Sequence, residues 1–166
     1  MSTTDDELLA LAQEVGARCR AAGVTVATAE SCTGGLVGHL ITEVPGSSAY
    51  FLGGVVTYDD PVKIALVEVP GGILAAHGAV SAQVAVAMAE GARRRLGTDL
   101  AVSTTGIAGP DGGSDEKPVG LTYVAVADAN GHDVRRFLWD LDRSGNKRAS
   151  AAAALELIID RLAAAS

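Results

Sequence analysis

Strand-like and helix-like segments alternate along this chain, and its early strands run into turns rich in glycine. That alternation restricts the fold more than any other feature. Residues 24–30 are a short run rich in β-branched residues, and residues 34–43 follow with helical spacing. Residues 50–58 form a longer apolar strand with Gly53-Gly54 inside it, the mark of a bulge or a close approach. Asp60-Pro61 then opens a helix, with the aspartate as cap and the proline at the first helical position. Ser81 caps a helix over residues 82–96, Gly97 ends it, and residues 99–105 are the next strand. Strand–helix–strand repetition of this kind buries parallel strands between two layers of helices. Two late strands, 120–127 and 133–140, flank Asn130-Gly131, a strong hairpin signal. The expected fold is a three-layer α/β/α with a mixed, mostly parallel sheet and a late β-hairpin.

The ends of the chain fit that scheme. Thr4 and Glu7 have the spacing of a capping box, and Leu8, Leu11, Ala12, Val15 and Cys19 recur behind them at helical spacing until Gly23. A last helix carries Leu155, Ile158, Ile159 and Leu162 on one face, while residues 67–78 show no period and are expected to be irregular. Aromatic residues are only 4 % of the chain, so the core must be built from Ala, Val, Leu and Ile. No internal repeat or long linker interrupts the pattern, and one domain spanning residues 1–166 is expected. A net charge of -7 argues against a nucleic-acid partner, because phosphate neutralisation needs a basic face. No apolar run approaches the roughly 20 residues of a membrane helix. Residues 1–7 are acidic and lack the regions of a signal peptide, so a cytoplasmic location is expected. Cys19 and Cys32 have no metal-ligand spacing and are not expected to pair in that compartment.

Three segments carry the chemistry. Thr28-Ala29-Glu30-Ser31-Cys32-Thr33-Gly34-Gly35 places two hydroxyls and a thiol at a strand-to-helix turn, where the first helical amides lack partners and favour an anion. Ser31 there is either a cap or a nucleophile; Cys32 is either a small buried residue or a thiol of lowered pKa. Tyr58-Asp59-Asp60-Pro61-Val62-Lys63 supplies a phenol and an amine. Lys63 serves as a base only if burial removes its proton, and Asp59 and Asp60 oppose that. The turn from Thr105 to Ser114, with Gly106 and Gly109, is either a flexible connection or a glycine-rich backbone nest for an anion. His39, His77 and His132 lie in unrelated contexts, so a Ser-His-Asp arrangement is not supported. If Ser31 is the nucleophile, Lys63 is the base available to it. Asp59, Asp60, Asp111, Asp115 and Glu116 are carboxylates in turns without a histidine, and no metal and no cofactor are expected.

In combination these segments resemble the family of the C-terminal domain of the competence/damage-inducible protein CinA, in its stand-alone nicotinamide-nucleotide amidase type. The matching stretches are Ala29-Glu30-Ser31-Cys32-Thr33-Gly34-Gly35, Pro45-Gly46-Ser47-Ser48, Gly53-Gly54-Val55-Val56-Thr57-Tyr58, His77-Gly78-Ala79-Val80-Ser81, Thr105-Gly106-Ile107-Ala108-Gly109-Pro110 and Glu116-Lys117-Pro118-Val119-Gly120. The resemblance implies hydrolysis of the carboxamide of nicotinamide mononucleotide to nicotinate mononucleotide and ammonia. It implies Ser31 as nucleophile with Tyr58 and Lys63 as activating partners. It puts Glu30, Cys32, Thr33, Gly34, Gly35, Ser48, Thr105, Gly106 and Gly109 near the substrate, and Arg143 on its phosphate. One departure stands out: the family often has Asn two residues after the tyrosine, where this chain has Asp60. A homo-oligomer is compatible with the Ala- and Val-rich strands. The reading from another class is a nucleotide-binding module without turnover, which needs the glycine turns but not an amine beside a serine.

Overall fold

The computed structural model describes residues 3–165. Its element order is α1 (Asp5–Ala22), β1 (Val26–Glu30), α2 (Leu36–Thr42), β2 (Phe51–Val56), α3 (Asp60–Val67), α4 (Gly71–His77), α5 (Ala82–Leu96), β3 (Leu100–Gly106), β4 (Leu121–Asp128), β5 (Gly131–Leu138) and α6 (Arg143–Ala164). The five strands lie in the order β2-β1-β3-β4-β5. Strand β1 is parallel to both β2 and β3, whereas β3–β4 and β4–β5 are antiparallel. Four of the five strands therefore run the same way, with β4 alone reversed, which agrees with the mixed and mostly parallel sheet expected from sequence.

Alternation along the strands builds the two helical layers. Val26, Val102, Val124 and Val126 face α1, α2 and α6, packing with Leu8, Val15, Ile41, Leu155 and Ile158. Their neighbours Ala27, Ala29 and Ala101 face α3, α4 and α5, packing with Val67, Val84 and Met88. Small residues on that second face let the helices come close, and α3 and α5 approach so nearly that a Cβ on Gly91 would stand 1.7 Å from the Val67 carbonyl oxygen. Strand β1 is buried along its whole length because sheet neighbours and helices cover every side.

Local signals worked as their chemistry requires. Thr4 and Glu7 form the reciprocal capping box, and Gly23 closes α1 in the left-handed region at φ 65°. The late hairpin forms, but one residue earlier than expected: Asp128 pairs with Gly131, so its turn residues are Ala129 and Asn130, and Gly131 opens β5 where the sequence placed it in the turn. Other boundaries differ from expectation as well. The cap of α3 is Asp59, whose carboxylate accepts from the Asp60 amide, and Asp60 takes the first helical position. Helix α2 starts at Leu36, because Gly34 (φ 62°) and Gly35 (φ 102°) adopt left-handed conformations that cannot continue a helix. Strand β2 ends at Val56, two residues before Tyr58. Residues 71–77 are helical, where irregular chain is expected: Gly71 and Gly72 hide the start of α4, and burial of Leu74 holds it.

The topology decides where a site can form. From β1 the chain turns through α2 to β2 on one side, then crosses the other face through α3–α5 to β3 on the opposite side. Beyond the carboxyl ends of β1 and β3 the connections diverge and leave a crevice. Glu30 pairs with Thr104 and with Val56, so the turns that follow β1, β2 and β3 leave the sheet at one level.

Candidate active site

Ser31 leaves β1 with its amide still donating to the Thr104 carbonyl at 3.0 Å, so the sheet ladder fixes its backbone. Lys63 lies one turn into α3, 1 % exposed, and its Nζ donates to Ser31 Oγ at 3.3 Å and to the Tyr58 carbonyl oxygen at 2.9 Å. The strand end thus supplies the hydroxyl and the helix supplies the amine. Ser31, Cys32, Tyr58, Asp60, Lys63 and Thr105 are among the residues lining a pocket of about 210 Å³. Burial drives the Lys63 ammonium below its usual lysine range, chiefly by desolvation, while Asp60, Asp59 and Cys32 pull the other way. Asp60 is the nearest carboxylate, with Oδ1 3.7 Å from Nζ. The arrangement offers what acyl transfer needs: a hydroxyl within reach of an amine that burial drives toward its neutral form.

Cys32 is buried, and its thiol is pushed up to about 12, first by desolvation and further by Glu30. A thiolate is therefore disfavoured, in contrast to the low-pKa reading that a place near a helix start allows.

Glu30 does not face the pocket. Its carboxylate is 2 % exposed and accepts from the Val37 amide at 2.8 Å, the Gly38 amide at 3.0 Å and the Thr33 hydroxyl at 2.6 Å. The chain's own anion occupies the start of α2, which the sequence alone leaves open for a ligand. Thr33 in turn hydrogen-bonds Thr104 at 2.7 Å, tying the Ser31 turn to β3 through buried hydroxyls. Among the described residues, neither the Cys32 nor the Thr33 amide has a backbone acceptor; the Cys32 amide bears on its own thiol, and both amides lie in the turn beside Ser31.

Tyr58 enters the pocket with its main chain. Its side chain is 60 % exposed, and its hydroxyl accepts from Arg143 Nη2 at 3.4 Å. Arg143 also donates to the Gly109 carbonyl at 2.7 Å, and Asn146 donates to the Ala108 carbonyl at 2.9 Å. The start of α6 therefore anchors the glycine-rich loop after β3. Thr105 is buried and donates to the Ala79 carbonyl at 2.8 Å, and Gly106 sits where a Cβ would meet the Leu121 carbonyl oxygen at 2.7 Å.

A second, larger cavity of about 930 Å³ adjoins the first, and Ala108 lines both. Gly34, Gly35, Arg143, Lys147 and Arg148 are among its walls. Arg148 is committed to Asp5 and to the Thr3 carbonyl. Lys147 has no hydrogen-bond or ion-pair partner among the described residues, and its positive charge acts on the Cys32 thiol. It lies beside Gly34, where a Cβ would stand 3.6 Å from Nζ. Sequence reasoning missed Lys147; the available signal was its position one turn after Arg143 on a helix capped by Asp142. Ser48 is not brought to either cavity. It is exposed ahead of β2, whose first residue pairs with Val26 at the opposite end of β1 from Ser31.

No three His, Cys, Asp or Glu side chains gather to hold a metal ion among the described residues. No helix there is long and apolar enough to cross a membrane.

With this geometry in view, the similarities are consistent with one another. The family model of the CinA C-terminal domain matches residues 8–162. Nicotinamide-nucleotide amidohydrolase PncC of Escherichia coli strain K12 is 49 % identical over 93 % of this chain and 94 % of its own length. A CinA-like protein of Geotalea uraniireducens is 50 % identical over 86 % of this chain but 34 % of its own length, so the chain spans about a third of that relative. Among solved structures, the competence/damage inducible protein CihA of Agrobacterium tumefaciens shares the fold with a TM-score of 0.89 and 41 % identity, covering 96 % of this chain and 98 % of that one.

Proposed function

Because the chain belongs to the CinA C-terminal domain family, we propose that it hydrolyses the carboxamide of nicotinamide mononucleotide to nicotinate mononucleotide and ammonia. The observation that carries this reading is the buried Lys63 amine 3.3 Å from Ser31 Oγ. A module that only binds nucleotides has no need of that pair, and PncC, so similar along its length, is named for this hydrolysis.

In the proposed reaction Lys63 enters as the free amine. Its lone pair takes the Ser31 proton while Oγ adds to the carboxamide carbon. The resulting oxyanion is met by the Cys32 and Thr33 amides, and one such preorganised donor lowers the barrier by roughly 3 kcal/mol. Collapse breaks the C–N bond, and Lys63 passes its proton to the departing nitrogen, releasing ammonia. Water then adds to the acyl-Ser31 ester; Lys63 takes one water proton and returns it to Oγ as the ester C–O bond breaks, leaving the carboxylic acid, which loses its remaining proton to solvent to give nicotinate mononucleotide. Tyr58 contributes through its carbonyl, which holds Nζ in place, and through its hydroxyl, which steadies Arg143. No step calls for a metal or cofactor.

The phosphate is assigned to the larger cavity, held by Arg143 and Lys147. Its binding energy positions the carboxamide over Ser31. A cavity of about 930 Å³ lies within the usual range for small-molecule sites. The same reading takes the whole chain as one amidase unit acting in the cytoplasm without a nucleic-acid partner. It also allows a homo-oligomer through Leu52 and Val56 of edge strand β2, exposed like Ile64 and Leu66 of α3.

The test is ammonia release from nicotinamide mononucleotide compared with free nicotinamide. The nucleotide is expected to react far faster. Equal efficiency on both compounds would remove the phosphate from the argument. Tight binding of the nucleotide with no ammonia would favour the binding module instead.

A further inference from the structure

The Lys63 pocket contains a carboxylate that the reaction does not use. Asp60 occupies the first position of α3, its side chain is 55 % exposed, and its Oδ1 stands 3.7 Å from the buried Nζ. We propose that Asp60 is a charge brake on Lys63: it holds the amine as an ammonium ion and so sets the lowest pH at which the site works. It acts through Lys63, as a positioning residue, and the proposal rests on Lys63 being the base.

The surroundings of Lys63 leave this role to Asp60. Among the described residues, three titratable groups act on its Nζ: Asp60 and Asp59 at the start of its own helix, and Cys32 on the turn beside Ser31. Of these, Asp59 has its carboxylate on the Asp60 amide at 2.9 Å, and Cys32 is a buried neutral thiol. Ala79, Val80, Thr105 and Gly106, which face it across the pocket, carry no charge. From α6, Arg143 reaches the Tyr58 hydroxyl and the Gly109 carbonyl. On α5, which packs against α3, Arg94 and Arg95 face Glu68 at the far end of α3, and Glu90 pairs with His132.

Burial alone favours the neutral amine, and the Asp60 carboxylate opposes burial. Because this carboxylate is half in water, its hold on the ammonium is partly screened and weakens with salt. The brake therefore responds to ionic strength as well as to pH. Removing the charge while keeping the shape releases it.

The experiment compares wild type with Asp60→Asn and Asp60→Glu. The ascending limb of the pH profile of kcat/KM is expected to move to lower pH in Asp60→Asn. On that limb the rate should rise by roughly three- to tenfold, the size expected when one nearby opposite charge is lost. Asp60→Glu restores the charge and should return the limb toward its wild-type position. Added salt should move the wild-type limb to lower pH and leave Asp60→Asn nearly still. A second measurement is independent of turnover: the ¹³Cε shift of Lys63, followed through a pH titration in lysine-labelled protein and assigned with Lys63→Arg. It should titrate at lower pH in Asp60→Asn than in wild type. An unmoved Lys63 titration in Asp60→Asn, or equal shifts in Asp60→Asn and Asp60→Glu, would overturn the proposal. If nicotinamide mononucleotide proves not to be a substrate, the Lys63 titration still decides whether Asp60 controls the amine. Turnover with an unmoved titration would sink the brake and leave the amidase reading intact.

Discussion

The two adjoining cavities are built in opposite ways. The small one is made from the ends of buried parallel strands. Ser31 continues the β1–β3 ladder, Lys63 is enclosed, and Glu30, Thr33 and Thr104 lock the turn from behind. The large one is made from a helix start and a glycine-rich loop, with Arg143 exposed and Lys147 half-buried. Bond-making groups need fixed geometry, and a β-sheet supplies it. Groups that grip a charged phosphate can remain on long, solvated side chains, because a charge tolerates small displacements better than a reacting orbital does. Substitutions should sort accordingly, with losses in kcat from the first cavity and in KM from the second.

The largest expected effect lies in the small cavity. Ser31→Ala should lower kcat by about a thousandfold or more, and Lys63→Ala by roughly a hundred- to ten-thousandfold, with circular dichroism unchanged. Lys63→Arg should fail as well, since a guanidinium does not give up its proton. The pH dependence has a definite sign. In the proposed reaction the active form of Lys63 is the amine, so activity should rise with pH as the ammonium population falls. Burial lowers the Lys63 pKa from its ordinary value, so that rise comes at lower pH than it would for a solvated lysine. A Lys63→Ala protein that keeps the wild-type rate and pH profile would break the contrast between the cavities at its strongest point.

A smaller effect is expected in the large cavity. Arg143→Ala and Lys147→Ala should each raise KM for nicotinamide mononucleotide by roughly tenfold, the loss of one charge-assisted contact, while kcat changes less. The sharper measurement uses nicotinamide riboside, which lacks the phosphate. On that compound Lys147→Ala and wild type should be nearly equal. A kcat loss as large as that of Lys63→Ala, or an equal loss on the phosphate-free compound, would dissolve the division of labour.

How much of this is legible in the chain follows the same division. Features set by neighbours in sequence can be read directly: the Thr4–Glu7 capping box, the glycine ends of α1 and α5, and the presence of the late hairpin, although its turn falls at Ala129-Asn130, one residue before the expected Asn130-Gly131. So can the three turns that meet at the crevice, because strand–helix alternation implies the parallel sheet that gathers them. What the sequence does not disclose depends on contacts across space. Glu30 belongs to a signature turn, yet its carboxylate points back into α2, where unpaired amides attract the nearest anion. Tyr58 ends a conspicuous apolar stretch, yet it offers its carbonyl to the amine and its ring to solvent. Ser48 lies in a matching stretch, but parallel pairing puts the start of β2 at the far end of β1 from Ser31. The depth at which Lys63 is buried is likewise a property of the packed helices and not of its neighbours in sequence.

The smallest effect is expected at Cys32, and it tests the comparison within the small cavity itself. Ser31 and Cys32 are adjacent at the same strand end, and a thiol is intrinsically the better nucleophile. What separates them is environment. Ser31 Oγ stands 3.3 Å from the amine, whereas the Cys32 thiol is buried and pushed up to about 12, so almost none of it is thiolate near neutral pH. Cys32→Ala should therefore retain hydrolysis. It removes one small buried side chain and should cost about 1 kcal/mol of stability, read as a modest shift in the denaturation midpoint. A thiol reagent should inhibit slowly, because the reactive form is scarce and shielded. An acyl group trapped from substrate and mapped by mass spectrometry should sit on Ser31. Finding it on Cys32, with Ser31→Ala still active, would reverse the roles of the two neighbours and leave the Lys63 amine serving a thiol that burial has silenced.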